Sequence, residues 1–135
     1  MPVFYMKKIN KFFNPKTVAL IGATDREGSV GLSLCKNLLM GSKKRKIFFV
    51  NPFRKKVLNK KTYASVELIK KSIDLVVIAV PSKVVLSVVE ESVKKNVGGV
   101  IVISSGFASV FSLDCPEQGM YNFSRVSFGV IFQKY

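Results

Sequence analysis

The sequence predicts a single α/β domain built around a parallel β-sheet. The chain has 135 residues, of which 48% are hydrophobic, enough for one domain with a proper core and too short for two ordinary ones. Short apolar runs of strand length alternate with segments of helical periodicity, which is the pattern of successive β-α-β units. The crossovers of such units are right-handed, and the strands that they join lie parallel.

Four apolar runs have the length and composition of buried strands. They are rich in β-branched residues and end at turn-forming residues. The predicted strands are Lys16–Gly22, Lys46–Val50, Ser72–Val80 and Val97–Ser104. The third is apolar at nearly every position, as expected for a parallel sheet that is covered on both faces.

Two segments between these strands, Ser29–Met40 and Lys83–Lys95, have the spacing of amphipathic helices. Gly41 follows the first at a usual C-terminal position. The apolar residues that indicate the helices are Val30, Leu34, Cys35 and Leu38 in the first, and Val85, Val88, Val89 and Val93 in the second. Together with the strands, they predict a Rossmann-like, doubly wound parallel sheet.

The remaining segments carry weaker patterns. Lys61–Tyr63 is predicted to extend the sheet, and Ser65–Lys71 to form one or two helical turns. Val110–Tyr135 is crowded with Ser and Phe, lacks helical periodicity and offers one candidate strand, Arg125–Phe132.

Composition excludes several kinds of chemistry. The chain has no histidine, which excludes a histidine base, a histidine-containing triad, histidine metal ligands and a phosphohistidine within it. Its two cysteines, Cys35 and Cys115, have no metal-ligand spacing. We therefore predict no catalytic and no metal-binding residue. The chain has only two cysteines, which are far apart, and it has no signal sequence and no apolar run of about 18 residues. We therefore expect a cytoplasmic protein that does not bind membranes.

The net charge of +14 is concentrated in the first half of the chain. Residues 1–61 hold 15 Lys and Arg against two acids, Asp25 and Glu27. This imbalance indicates either an anionic partner, such as a nucleic acid or a phosphorylated cofactor, or a solvated lysine-rich surface. A nucleic-acid interaction rests on charge alone, with Phe48, Phe49 and Phe53 as candidate stacking residues.

The ends of the predicted strands are where a ligand is expected, because open parallel sheets bind ligands at their carboxyl edge. The first loop, Gly22–Gly31, has its glycines in the order G-x5-G-x2-G, which differs from the dinucleotide fingerprint G-x-G-x-x-G. Glycines and a following helix start favour phosphate binding. The same residues also fit a tight packing turn.

The second loop favours a phosphorylated ribose. No acid follows the second strand, where an NAD site usually has one; instead the chain runs through Asn51 and Pro52 to Arg54, Lys55 and Lys56. These cations suit coenzyme A or NADP. A solvated basic turn is the alternative.

Four blocks in order resemble a known family. They are Phe12–Gly31, Val50–Pro52, Asp74–Pro81 and Val102–Phe107. The sequence around them resembles the coenzyme A-binding domain of ADP-forming acetyl-CoA synthetases and, more distantly, the succinyl-CoA ligase alpha subunit. The resemblance covers about residues 10–108.

The resemblance implies coenzyme A as the cofactor, held by four loops. The first would lie against its phosphate and pantetheine portion, and the second would bring Arg54 to the nucleotide phosphates. The third would flank the ligand, and the fourth would line the path of the thiol arm. The implied contacts are Gly22, Thr24, Asp25, Arg26, Glu27, Gly28, Ser29, Asn51, Pro52, Arg54, Val80, Pro81, Ser82, Ile103, Ser104 and Ser105.

Past Ala108 the chain departs from the family pattern. The expected charged helix, further strand and Gly-Pro-Asn-Cys block are missing, as are the phosphohistidine and ATP-grasp regions. We therefore expect a truncated chain, with a coenzyme A-binding domain over residues 1–108 and a divergent tail over residues 109–135.

Such a chain is expected to be a binding module without catalytic activity of its own. In the intact enzyme, acetate, ATP and coenzyme A would give acetyl-CoA, ADP and phosphate. Its expected partners are the remaining ligase domains or an ATP-grasp subunit, or a second copy of itself through an uncovered sheet edge, and not a nucleic acid. The alternatives are an NADP-binding domain of an oxidoreductase and, less favoured, a basic nucleic-acid-binding protein.

Overall fold

A computed structural model of the chain describes residues 10–104 and, for the backbone alone, residues 127–131. Residues 10–13 are helical. The strands are β1 (Thr17–Ile21), β2 (Lys46–Val50), β3 (Lys56–Val57), β4 (Lys60–Tyr63), β5 (Leu75–Ile78), β6 (Gly99–Ser104) and β7 (Ser127–Ile131). The helices are α1 (Val30–Met40) and α2 (Ser82–Lys94), with a 3₁₀ turn at Val66–Leu68.

The seven strands form one sheet in the order β3-β4-β2-β1-β5-β6-β7. The five inner strands run parallel; in register, Ala19 of β1 lies between Phe48 of β2 and Val76 of β5. The chain moves from β1 to β2 on one side and later to β5 on the other. The strand order therefore reverses at β1, as in a doubly wound sheet, and the predicted Rossmann-like α/β class is confirmed.

The core has one layer on each face of the sheet. Val18 and Leu20 of β1 pack with Cys35 of α1 on one face. Ala19 and Ile21 point to the other face, where Val85 and Val88 of α2 cover them. Each of these seven side chains is at most 7% exposed. Since both faces are buried, the four consecutive residues of β1 from Val18 to Ile21 are all apolar, which explains the continuous apolar runs of the sequence.

The predicted helices are confirmed, but one apolar residue on each lies outside the core. Val30 is 48% exposed because it begins α1 at the open carboxyl edge of the sheet. Val93 is 42% exposed, whereas Ser92 is fully buried and donates a hydrogen bond to the carbonyl of Val88, at 2.9 Å. Position 92 lies seven residues after Val85 and so on the same face of α2, whereas position 93 is rotated by about 100°.

Both edges of the sheet are antiparallel, which the sequence did not predict. At one edge β3 and β4 form a hairpin whose turn residues, Leu58 and Asn59, have φ angles of 48° and 61°. Asparagine is common in this left-handed region but leucine is rare there, so Asn59 was the one local signal of the turn and Leu58 argued against it. The predicted extension at Lys61–Tyr63 lies within β4, and the predicted turn within Ser65–Lys71 is the 3₁₀ turn.

At the other edge β7 pairs antiparallel with β6 and falls within the predicted strand Arg125–Phe132. Because β6 is paired on both sides, the open edge from which we expected self-association is not at β6. Self-association stays a prediction. No helix in the described part of the chain is long and apolar enough to span a membrane.

Candidate functional site

The loop from β1 to α1 fits tightly against the end of β5. Gly22 has a φ of +95°, and a Cβ atom built on it would lie 2.1 Å from the carbonyl oxygen of Ala79. A Cβ atom on Gly31 would lie 2.6 Å from the carbonyl oxygen of Gly22. Glycine at these positions therefore allows the loop to contact both its own helix and the neighbouring strand.

Ser29 caps the start of α1 and connects it to this loop. Its Oγ accepts a hydrogen bond from the N–H of Leu32, at 3.1 Å, and donates one to the carbonyl of Arg26, at 2.6 Å. The N–H of Arg26 donates in turn to Thr24 Oγ1, at 3.2 Å. The helix start is thus held at the carboxyl edge of the sheet, where its partial positive charge favours an anion.

A cleft of about 260 Å³ opens at the carboxyl ends of β1, β5 and β6. It lies where the strand order reverses, the usual ligand position in an open α/β sheet. One wall is braced by Ser104 Oγ, which donates to the carbonyl of Val80 at 2.9 Å. The lining residues are Gly22, Thr24, Arg26, Ser29, Val30, Gly31, Ala79, Val80, Pro81, Ile103 and Ser104.

The loop after β2 is tied to the first loop beside this cleft. The amide nitrogen of Asn51 donates to the carbonyl of Ala23, and its amide oxygen accepts from the N–H of Phe53, both at 2.8 Å. Arg54 forms an ion pair with Asp25 of the first loop, with both side chains more than two-fifths exposed. The loops after β1 and β2 are therefore joined by a hydrogen bond and by an exposed ion pair.

Eight of the predicted contacts meet in this cleft: Gly22, Thr24, Arg26, Ser29, Val80, Pro81, Ile103 and Ser104. Seven lie outside its lining, namely Asp25, Glu27, Gly28, Asn51, Pro52, Arg54 and Ser82, and Ser105 falls outside the described residues. Sequence reasoning missed Val30, Gly31 and Ala79. The glycine spacing itself could have indicated Gly31, whereas no local signal marks Ala79.

The nearby thiol is not a nucleophile at neutral pH. Cys35 is fully buried beneath the loop, and this burial raises the pKa of its thiol above the ordinary value. Among the described residues, no three His, Cys, Asp or Glu side chains cluster in a way that could hold a metal ion. The cleft offers one cation, Arg26, together with hydroxyls and the N–H groups of a helix start, which are groups that bind an anion.

The family model of the CoA binding domain matches residues 16–122. The chain belongs to this family. The resemblance expected from the sequence blocks is confirmed, and with it coenzyme A as the ligand of the domain. The match runs past Ala108, and the boundary drawn there stays a prediction.

Curated relatives of this domain include ADP-forming CoA ligases. The 4-hydroxybutyrate–CoA ligase of Nitrosopumilus maritimus is 43% identical over 97 residues, which are 72% of this chain and 14% of that protein. An acetate–CoA ligase of Archaeoglobus fulgidus is 42% identical over 73% of this chain and 14% of that protein. This chain therefore spans about one seventh of the length of these two relatives.

Solved structures have the same fold. The dinucleotide-forming acetyl-coenzyme A synthetase 1 of Ca. Korarchaeum cryptofilum, in complex with phosphate and ADP, aligns with a TM-score of 0.71 and 32% identity, over 78% of this chain and 23% of that chain. PH0766 from Pyrococcus horikoshii aligns with a TM-score of 0.71 and 37% identity, over 76% and 23%.

Proposed function

We propose that this domain holds coenzyme A for an ADP-forming acyl-CoA ligase, in which acetate, ATP and coenzyme A give acetyl-CoA, ADP and phosphate. The observation that carries the proposal is the cleft at the strand-order reversal, because its first wall is the glycine loop of a CoA binding domain. The named activities of the relatives supply the reaction class. The remaining ligase domains or an ATP-grasp subunit are the proposed partners, and the cytoplasm is the proposed compartment.

The polar wall of the cleft would take the phosphates of the ligand. Arg26 and the start of α1 supply positive charge there, and the cap by Ser29 holds the helix start in place. Arg54 would exchange Asp25 for the phosphate on the ribose. The less polar wall, with Val80, Pro81 and Ile103, suits the pantetheine arm.

The domain would bind the cofactor without making or breaking bonds. With no histidine in the chain, it has no group for a phosphohistidine step, and the raised pKa of Cys35 leaves that thiol protonated at neutral pH. Acyl transfer to coenzyme A would then require the partner regions.

Ligand choice tests this proposal against the NADP alternative. Because Arg54 would pair with the ribose phosphate, coenzyme A should bind about tenfold more tightly than dephospho-coenzyme A, as expected for one charge-assisted hydrogen-bonded contact. Titration calorimetry with coenzyme A, dephospho-coenzyme A, NAD and NADP measures this. Arg54→Gln should remove the preference, with Lys55→Gln as the control of equal charge. Tighter binding of NADP than of coenzyme A would refute the proposal.

The ion pair between Asp25 and Arg54 predicts an unusual gain of affinity. Asp25→Asn removes the anion that competes with the ligand phosphate, so coenzyme A should bind about threefold more tightly, a gain within the range of an exposed ion pair. Glu27→Gln removes the same charge from the same loop without freeing Arg54 and should change affinity less. If Asp25→Asn instead weakens binding more than Glu27→Gln does, Asp25 positions Arg54 and does not compete for it.

A further inference from the structure

A second cleft, of about 350 Å³, lies along β2 and β4 and shares no lining residue with the coenzyme A site. Because the two strands run parallel, with Phe49 beside Thr62, their first residues meet at the amino edge of the sheet. We call this cleft the basic cleft. Its charged and aromatic lining consists of Arg45, Lys46, Phe48, Lys60, Lys61 and Tyr63.

The basic cleft concentrates positive charge without an acid to balance it. Four of its lining residues are cations and none is Asp or Glu. The ion pairs found in residues 10–104 join Lys11 to Asp74 and Arg54 to Asp25, and so involve none of these four cations.

Two neighbouring groups are in an unfavourable state. Lys71 contacts Lys46, and the hydrogen bond and charge of that second ammonium group lower the pKa of Lys71. The Nε of Arg45 is buried and has no hydrogen-bond partner among the described residues. An anion bound beside Lys46 would reduce the repulsion between the two ammonium groups.

Aromatic rings hold two of the ammonium groups in place. The Nζ of Lys61 lies 5.3 Å from the centre of the Tyr63 ring, and that of Lys60 lies 5.8 Å from the centre of the Phe49 ring. These are distances of cation–π contact. The Tyr63 ring packs edge-on against Phe48, with centres 6.0 Å apart. Lys61 therefore stands on a fixed wall of the basic cleft, whereas the side chain of Lys60, the preceding strand residue, lies against Phe49 on the other face of the sheet.

We propose that the basic cleft is a second anion site, separate from the coenzyme A site, which binds a small molecule with several linked phosphate groups. The cations come from the α1–β2 loop and from two strands, so a chain of phosphates can contact more of them than a single phosphate can. The volume is that of a small-ligand pocket, which favours an oligophosphate over a nucleic acid.

Titration calorimetry of the full chain with inorganic tripolyphosphate, in the presence and absence of saturating coenzyme A, tests this site. In Lys46→Gln/Lys61→Gln, affinity for tripolyphosphate should fall by roughly tenfold or more, since two charge-assisted contacts are lost. The control Lys36→Gln/Lys94→Gln removes the same charge from exposed positions on α1 and α2 and should lose about twofold or less. The charge-conserving variant Lys46→Arg/Lys61→Arg should keep the affinity.

Coenzyme A provides the check that the two sites are distinct. Its affinity should be the same in the unchanged protein, the cleft variant, the control and the charge-conserving variant. Equal loss of tripolyphosphate affinity in the cleft variant and the control, or no heat of binding at all, would overturn the proposal. So would the loss of all tripolyphosphate binding at saturating coenzyme A. Tighter binding of a single-stranded oligonucleotide than of tripolyphosphate, with the same dependence on Lys46 and Lys61, would assign the cleft to nucleic acid.

Discussion

Replacing Gly22 with alanine should lower the free energy of unfolding by about 3–5 kcal/mol, the sum of an overpacked site and a strained backbone. The new Cβ atom would lie 2.1 Å from the carbonyl oxygen of Ala79, so β1 and β5 would have to separate. The same strands meet through the N–H of Ala79, which donates to the carbonyl of Ile21 at 2.8 Å. Urea denaturation followed by circular dichroism measures the change.

Gly28→Ala is the matched control for this effect. Gly28 also has a positive φ, +72°, but a Cβ atom on it meets nothing within 4 Å. It should therefore show the conformational cost alone, about 1–2 kcal/mol. If Gly22→Ala destabilises the protein no more than Gly28→Ala does, the chain at Ala79 can move away from the new methyl group. The close contact between Gly22 and Ala79 is then not required for stability.

Gly28→Val should reduce the affinity for coenzyme A by about 30-fold or more, because loss of close backbone approach at a phosphate loop removes several charge-assisted hydrogen bonds. This expectation rests on the proposed function. Gly28 lies between Arg26 and Ser29, which both line the cleft, and the space around it is open in the free chain. A valine there would place its side chain beside the proposed path of the ligand and would also strain the left-handed backbone.

Titration calorimetry and thermal unfolding of the same samples separate loss of binding from loss of folding. Gly41→Val adds the same side chain after α1, where φ is −91° and the nearest atom to a Cβ is at 3.6 Å, and it should bind coenzyme A as the unchanged protein does. Normal affinity in Gly28→Val would show that this part of the loop is a turn and does not contact the ligand. Gly28→Ala gives an intermediate case with less strain.

Secondary structure could be predicted because its signals are local. The apolar run of β5 and the spacing of Val85 and Val88 on α2 each lie within a few residues, so periodicity alone indicated a strand and a helix. It was harder to predict which residues at the border of a helix's buried face lie in the core. Ser92 replaces Val93 in the core because its hydroxyl bonds to the carbonyl of Val88, which removes the cost of burying it.

The sheet edges and the surroundings of the cleft could not be predicted in this way. The hairpin between β3 and β4 turns at Leu58, whose left-handed backbone contradicts its residue type. Ala79 lines the cleft because it lies against Gly22, which is far from it in sequence. Contacts of this kind depend on which strands lie side by side in the sheet. A local sequence pattern does not predict that order.

By itself, the sequence determined the α/β class, the glycine loop and the family to which the loop belongs. The repeat of apolar residues that marks a strand or a helix lies within a few residues. The glycines of the first loop are needed because a side chain would collide at Gly22 and Gly31 and the backbone is left-handed at Gly28. Only the tertiary structure decided that Asp25 pairs with Arg54 and that Lys46 lies beside Lys60 and Lys61. The physical reason is that charge acts through space, so residues distant in the chain interact once the parallel strands place their ends at the same edge.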